Sequence, residues 1–252
     1  MTGVYRLADL NISITSLYPA VHDMCRDYRA EDGCHLDFAV SVTQDDIDFE
    51  RIRAEEAGAW EGWISQSYPD DWLEKSAVHR QIAEMLPDYG AFLMHGSAVT
   101  VEGAGYIFTA KSGTGKSTHT RLWRELLGER AVMVNDDKPL VRVTDAGTLV
   151  YGSPWDGKYH LSCNTSVPLR GICILERGEE NEIHEIGMDE MLPRLLLQGY
   201  RPTNPTGTKK LMEIYDRMAL TVKFYRLQCN MDISAAELAY SAMSGKQIAR
   251  IV

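Results

Sequence analysis

Residues 106–118 read Tyr-Ile-Phe-Thr-Ala-Lys-Ser-Gly-Thr-Gly-Lys-Ser-Thr. An apolar run leads into a glycine loop, and the loop ends in Gly-Lys-Ser. No other segment constrains the fold as strongly, because a strand, a tight loop and a helix must follow one another within a few residues. The pattern is that of a P-loop, with Ala110 where a Gly usually opens it and Gly115-Lys116-Ser117 closing it. Each part has a phosphate to hold. Gly113 and Gly115 let the backbone turn tightly and aim its N–H groups inward. A helix starting near Lys116 adds its positive N-terminal end. Ser112, Gly113, Thr114, Gly115, Lys116, Ser117 and Thr118 are therefore the candidate phosphate-binding residues. Lys116 would reach the outer phosphates, and Ser117 would ligate Mg2+.

At 252 residues the chain holds one large domain or two small ones. The Asp136-Asp137 pair follows the apolar run Ala131-Val132-Met133-Val134 by one residue, Asn135. Carboxylates at the carboxyl end of a strand beside the P-loop strand lie near the outermost phosphate. One can hold Mg2+ and the other can take a proton from an attacking hydroxyl. Adjacent side chains of an extended segment point opposite ways, so the two should have different jobs. Asp136 is favoured as the base and Asp137 as the metal-side carboxylate; the residues alone leave the reverse assignment open. His95, in His95-Gly96-Ser97, is a candidate to orient one of the aspartates.

The loop Gly152-Ser153-Pro154-Trp155-Asp156-Gly157-Lys158 offers a fixed backbone, a flat apolar face in Trp155 and a cation in Lys158. Both are candidate substrate contacts, as is Arg201. Arg170 is a further anion clamp with weaker support. His119, in the helix after the P-loop, reads as a surface residue.

The net charge of −10 disfavours nucleic acid as the main partner. No stretch approaches 18 consecutive apolar residues, so no membrane span is expected. The N-terminus carries no apolar signal region, and the five cysteines are odd in number with no CxxC pair. Reduced thiols in a cytoplasmic protein are the expectation.

Along the chain, residues 1–72 read as a small α+β lobe and 73–252 as the nucleotide-binding domain. A first strand is expected over 4–14, a helix over 18–28 and a strand over 34–42. Gln44 to Glu56 reads as an acidic connector or short helix, and 74–86 as a helix. Trp60, Trp63 and Trp72 read as packing between the lobes. Strands follow at 92–94, 98–101 and 106–110, with a hairpin turn at Glu102-Gly103-Ala104-Gly105. A helix over 116–127 stops at Gly128. Then come a strand at 131–134, a hairpin of 140–143 with 148–151, and a strand at 169–175. Helices at 189–198 and 208–219 and a strand at 221–228 complete the domain, and Ser234-Ala235-Ala236-Glu237 reads as a capping box opening a last helix. So many hairpins around one strand–loop–helix unit require a mixed rather than an all-parallel sheet.

The order His95-Gly96, then Ser112 to Ser117, then Asp136-Asp137 resembles the bacterial HPr kinase/phosphorylase catalytic domain and, more distantly, the ATP-dependent phosphoenolpyruvate carboxykinases. Leu169-Arg170-Gly171-Ile172 looks like the family's Arg-Gly strand. The resemblance covers about His95 to Leu175. It implies an α/β fold with a P-loop-containing mixed sheet of the HPr kinase and carboxykinase-like type, beside the small N-terminal lobe. It also implies that Asp136 is the base and His95 its support. Two positions depart from the pattern. Pro168 stands where HPr kinases carry an acidic metal-binding residue. The glycine-rich Arg loop of the phosphorylase chemistry has no counterpart other than Gly199-Tyr200-Arg201-Pro202.

The expectation is an ATP- and Mg2+-dependent phosphotransferase acting on a hydroxyl of a protein serine or a small metabolite. Lys116, Asp136 and His95 would carry the chemistry, and a homo-oligomer would be in keeping with the resemblance. The alternatives are a non-catalytic nucleotide-binding regulator or, less favoured, a carboxykinase-type enzyme.

Overall fold

A computed structural model describes residues 1–61 and 68–247, with side chains omitted for 57–61. The chain clusters into two units, Met1–Met85 and Leu86–Val252. In the first unit the single strand expected over 4–14 is a hairpin, β1 (Thr2–Leu7) and β2 (Leu10–Thr15). The chain reverses at Ala8 and Asp9, whose φ values are 50° and 58°. Two successive positive-φ residues make the turn that matches strand twist, and here neither is glycine, so the usual hairpin signal is missing. A short helix α1 (Ala20–Met24) follows, then β3 (Phe38–Ser41), which pairs in parallel with β2.

The acidic stretch is a full helix, α2 (Gln44–Glu61), and α3 (Asp70–Met85) groups with this unit. Leu73, Ala77, Val78 and Ile82 form the buried stripe of α3. Its Glu74 is buried and accepts hydrogen bonds from the backbone N–H groups of Leu17 and Tyr18, at 2.5 and 3.0 Å. Trp72 is exposed and stacks on Tyr68. The side chains of Trp60 and Trp63 lie outside the described residues.

The second unit is built on one nine-stranded sheet. Its strands are β4 (Ala91–Leu93), β5 (Ser97–Val101), β6 (Ala104–Thr109), β7 (Ala131–Asn135), β8 (Leu140–Thr144), β9 (Gly147–Tyr151), β10 (Ser166–Arg177), β11 (Glu182–Ile186) and β12 (Lys223–Cys229). The path runs β4-β8-β9-β10-β6-β5-β7, with β12 beside β10 and β11 outside β12. Among the described residues of this sheet, β6, β10 and β12 run parallel to one another and the other pairs are antiparallel. The sheet is therefore mixed, as the hairpins require. β10 makes this possible through its length: Ser166 to Pro168 pair with β9, and Gly171 to Arg177 pair with β12.

Alternation along the strands makes two cores. Ile107, Ile172 and Ile174 face one way, packing with Leu195 and Tyr215 of α5 (Met188–Gln198) and α6 (Pro205–Met218). Phe108, Cys173 and Leu175 face the other way, packing with Trp123 of α4 (Lys116–Leu127) and Tyr240 of α7 (Ile233–Ser244). Asn204 caps α6 by accepting from the Gly207 N–H. The capping box expected at Ser234 does not form. α7 starts at Ile233 with Asp232 at its N-cap, no side chain caps it, and Ser234 Oγ instead meets Asn181 Nδ2 at 3.0 Å. β11 has no counterpart in the sequence reading; its charged, exposed residues mark it as a solvated edge.

His119 corrects another expectation. It is buried, with its ring against Phe108 at 4.5 Å, and its Nε2 accepts from Trp123 Nε1 at 3.2 Å. Positions 116, 119, 120, 123 and 127 form the buried stripe of α4, so the helical spacing places His119 inward. Burial pushes its imidazole down from the usual 6.5 to about 4. The unfolded chain takes up this proton below about pH 6.5, while the folded chain refuses it until about pH 4. Stability from this group is complete above the higher value and falls as the pH drops towards the lower one, by roughly 3 kcal/mol in all. Chemical denaturation of wild type and His119→Phe across that window checks this: the variant should lose most of this acid sensitivity. Equal slopes for the two proteins would refute it.

Candidate active site

β6 ends at Thr109 and α4 begins at Lys116, and the glycine loop spans the interval. Gly113 and Gly115 have φ of 74° and 122°, which L side chains rarely adopt. The Thr114 N–H bonds the Lys111 carbonyl at 3.2 Å, and Arg177, at the end of β10, donates to the Gly113 carbonyl at 2.5 Å. The loop is thus pinned from inside and from the neighbouring strand. The first turn of α4 opens onto a cleft of about 950 Å3.

That cleft gathers residues from three places in the chain. From the loop and α4 come Ser112, Gly113, Gly115, Lys116, Ser117 and Thr118. From the strand ends come His95, Asp136 and Asp137, and from the following loop come Asp156, Gly157 and Lys158. Ten residues singled out in the sequence line one cavity. Four others do not. Arg170 lines a separate hollow of about 360 Å3. Thr114 faces a smaller hollow of about 260 Å3 beside Arg177 and Arg194. Trp155 is half-buried off the cleft, and its carbonyl accepts from Asn135 Nδ2 at 3.3 Å. Arg201 is exposed and also off the cleft.

The two aspartates have different surroundings. Asp136 is buried, and its Oδ1 accepts from Ser97 Oγ at 2.8 Å. Ser97 Oγ lies 2.9 Å from Thr120 Oγ1, so a hydroxyl chain runs from α4 to the carboxylate. Its Oδ2 faces Gly157, where an added Cβ would come within 3.1 Å. Asp137 is half-buried. Its Oδ1 lies 3.2 Å from His95 Nε2 and its Oδ2 lies 3.1 Å from Lys138 Nζ. Burial raises the Asp137 pKa, but the His95 hydrogen bond and the Lys138 charge outweigh it and hold the carboxyl at about 2.

His95 therefore partners Asp137, not Asp136 as the family resemblance implied. The cause is register. β5 and β7 are antiparallel with Ala98 opposite Asn135, so the residues preceding β5 meet those following β7. The Gly96 N–H bonds the Asp137 carbonyl at 3.0 Å, which seats His95 beside that residue.

Lys116 is 8% exposed, and its Nζ donates to the Ala110 carbonyl at 3.3 Å. Burial lowers its pKa from the ordinary lysine value, against the pull of Asp137 and Asp136. An ammonium held in a dry position beside carboxylates lacks the solvation that a phosphate would replace.

Asn135 is the residue the sequence reading passed over. It is fully buried. Its Oδ1 accepts from the N–H groups of Asp137 and Lys138, at 2.8 and 2.6 Å, an Asx turn that sets the backbone of the aspartate pair. Its Nδ2 is within 2.9 to 3.3 Å of Ser153 O and Oγ, Trp155 O and Ser162 Oγ. One amide thus joins the end of β7 to the 152–162 loop. The signal for it was present: an Asn that ends an apolar strand and precedes two polar residues is a turn former.

Ser117 and Asp137 are hard oxygen donors on one cleft, the type that suits Mg2+. Among the described residues no group of three His, Cys, Asp or Glu side chains could hold a metal by itself. All five cysteines are free, and no described helix is long and apolar enough to cross a membrane.

No family model matches the chain, and no curated protein matches it. Among solved structures it is similar to the Hpr(Ser) kinase/phosphatase from Coxiella burnetii, with 9% sequence identity. The match covers 61% of this chain and 93% of that one, at a TM-score of 0.35.

Proposed function

We propose that the protein is an ATP- and Mg2+-dependent phosphotransferase that moves the terminal phosphoryl group to a hydroxyl. The observation that carries this reading is the meeting, in one cleft, of the glycine loop with Lys116 and of the Asp136-Asp137 pair. Residues 110–118 then act as a P-loop of the HPr kinase and carboxykinase-like type. Binding alone would need the loop and Lys116 but no carboxylate aimed at an acceptor.

The loop N–H groups and Lys116 would hold the phosphates, and Ser117 and Asp137 would hold Mg2+. When bound, the ion neutralises charge on the phosphate oxygens. Asp137 suits that role because a carboxyl held at about 2 is an anion at every physiological pH and a weak base. His95 positions it. Asp136, turned towards the 156–161 side of the cleft, takes the acceptor proton. The acceptor oxygen forms its bond to the γ-phosphorus as the bond from that phosphorus to the β,γ-bridging oxygen breaks. ADP leaves with the electron pair, and the acceptor proton resides on Asp136. Positioning and charge neutralisation supply most of the rate.

A direct test incubates the protein with MgATP and with fractionated small-molecule and protein pools, reading phosphorus resonance spectra. The expected outcome is a new phosphomonoester formed in step with ADP in at least one pool. Nucleotide binding with no phosphomonoester in any pool would favour the regulator reading. ATP loss dependent on oxaloacetate would favour the carboxykinase reading.

A further inference from the structure

Beyond Lys116 the cleft is lined by three further cations, alongside the carboxylates of Asp136, Asp137 and Asp156. The chain as a whole has a formal net charge of −10, yet Arg121, Arg124 and Lys158 all line this cavity. Arg121 is paired with Glu125 on its own helix. Arg124 and Lys158 form no ion pair among the described residues; the Lys158 ammonium lies 4.7 Å from the Tyr159 ring centroid. Arg124 is half-buried and Lys158 is exposed where they line the cavity. Cations left without carboxylate partners in a concave site attract an anion.

Their positions say which ligand they serve. Ser117, Arg121 and Arg124 fall at i, i+4 and i+7, one face of α4. Ser117 marks the phosphate end, and Arg124 stands about 10 Å further along the axis at the helical rise. Lys158 comes from a different part of the chain, the loop after β9. It adjoins Gly157, the residue packed on Asp136 Oδ2. A hydroxyl at Asp136 would keep the rest of its molecule in the cavity that Lys158 and Arg124 also line. Met133 and Leu161 also line the cleft and offer a short apolar contact. The whole cavity, about 950 Å3, lies at the upper end of the range for small-molecule sites, room for nucleotide phosphates and one small partner.

We infer that the acceptor is a small hydroxylated molecule that carries its own anionic group, a carboxylate or a phosphate, bound by Arg124 and Lys158. This rests on the phosphotransferase reading and narrows its acceptor to one chemical class.

The test separates the two. The full chain is saturated with Mg2+ and a non-hydrolysable ATP analogue, then titrated with glycerate, with inorganic phosphate and with neutral glycerol. The two anions should bind and glycerol should not. Arg124→Gln and Lys158→Gln should each weaken anion binding roughly tenfold. Their affinity for the ATP analogue should stay within about twofold of wild type. If neither anion binds to the loaded protein, or if glycerol binds equally well, the inference is wrong. It is also wrong if either variant loses analogue affinity as much as anion affinity, since the cations would then serve the nucleotide. Failure of wild type to bind the analogue at all would overturn the phosphotransferase reading itself, and this inference with it.

Discussion

Asp136→Asn will bind MgATP with nearly wild-type affinity and turn over about 10²- to 10⁴-fold more slowly, the usual contribution of a positioned general base. The substitution keeps size and keeps an oxygen for the Ser97 hydroxyl, so the local hydrogen bonding survives. What it removes is the carboxylate proposed to take the acceptor proton. Asp137→Asn should behave differently. It deletes the anion that His95 and Lys138 surround, so it should weaken binding of the Mg2+ complex as well as slow the reaction. Steady-state rates and calorimetric titration of both variants separate the roles. An Asp136→Asn protein that keeps its rate, beside an Asp137→Asn protein that binds MgATP normally but is inert, would reverse the assignment.

Asn135→Ala is the variant expected to cost most in stability. It strands the Asp137 and Lys138 N–H groups and removes the donor shared by Ser153, Trp155 and Ser162. Orphaned buried polar groups cost about 1–3 kcal/mol each, so a total loss of about 3 kcal/mol or more is expected. For a unit of this size that lowers the melting temperature by roughly 6–12 °C. Activity should fall further than stability, because the same amide sets both the aspartate pair and the loop bearing Lys158. Asn135→Asp refines the point: it retains the Asx-turn acceptor but turns a carboxylate towards the Ser153 and Trp155 carbonyls. A thermal melt of Asn135→Ala within about 2 °C of wild type would contradict the account.

Much of the second unit could be read from local signals. The glycine loop, the α4 boundaries with Gly128 after it, and the β8–β9 hairpin all announce themselves through short-range chemistry. The elements missed are those that lack such chemistry. The β1–β2 turn uses Ala8 and Asp9 at positive φ, and β11 is too exposed to show an apolar pattern. His119 was legible in principle, since it lies in the buried period of Trp123, but a polar residue was assigned to the surface by type.

In the site, proximity was legible and pairing was not. Two strand-end aspartates near a glycine loop place a cleft. Which of them meets His95 depends on the β5–β7 register, a long-range quantity with no local mark. The contribution of Arg121 and Arg124 depends on α4 turning one face to the cleft and the other to Phe108. Trp155 does not line the cleft; its carbonyl accepts from Asn135 Nδ2.

The central claim is that the 110–118 loop holds the phosphates of a nucleotide through Lys116. Calorimetric titration of MgATP into wild type and Lys116→Ala tests it most directly. Wild type should bind one MgATP with a dissociation constant between about 1 μM and 1 mM. The variant should bind roughly tenfold to a hundredfold more weakly, the value of one charge-assisted contact in a partly dry site. No binding by the folded wild-type protein, or equal binding by the two proteins, would contradict the account.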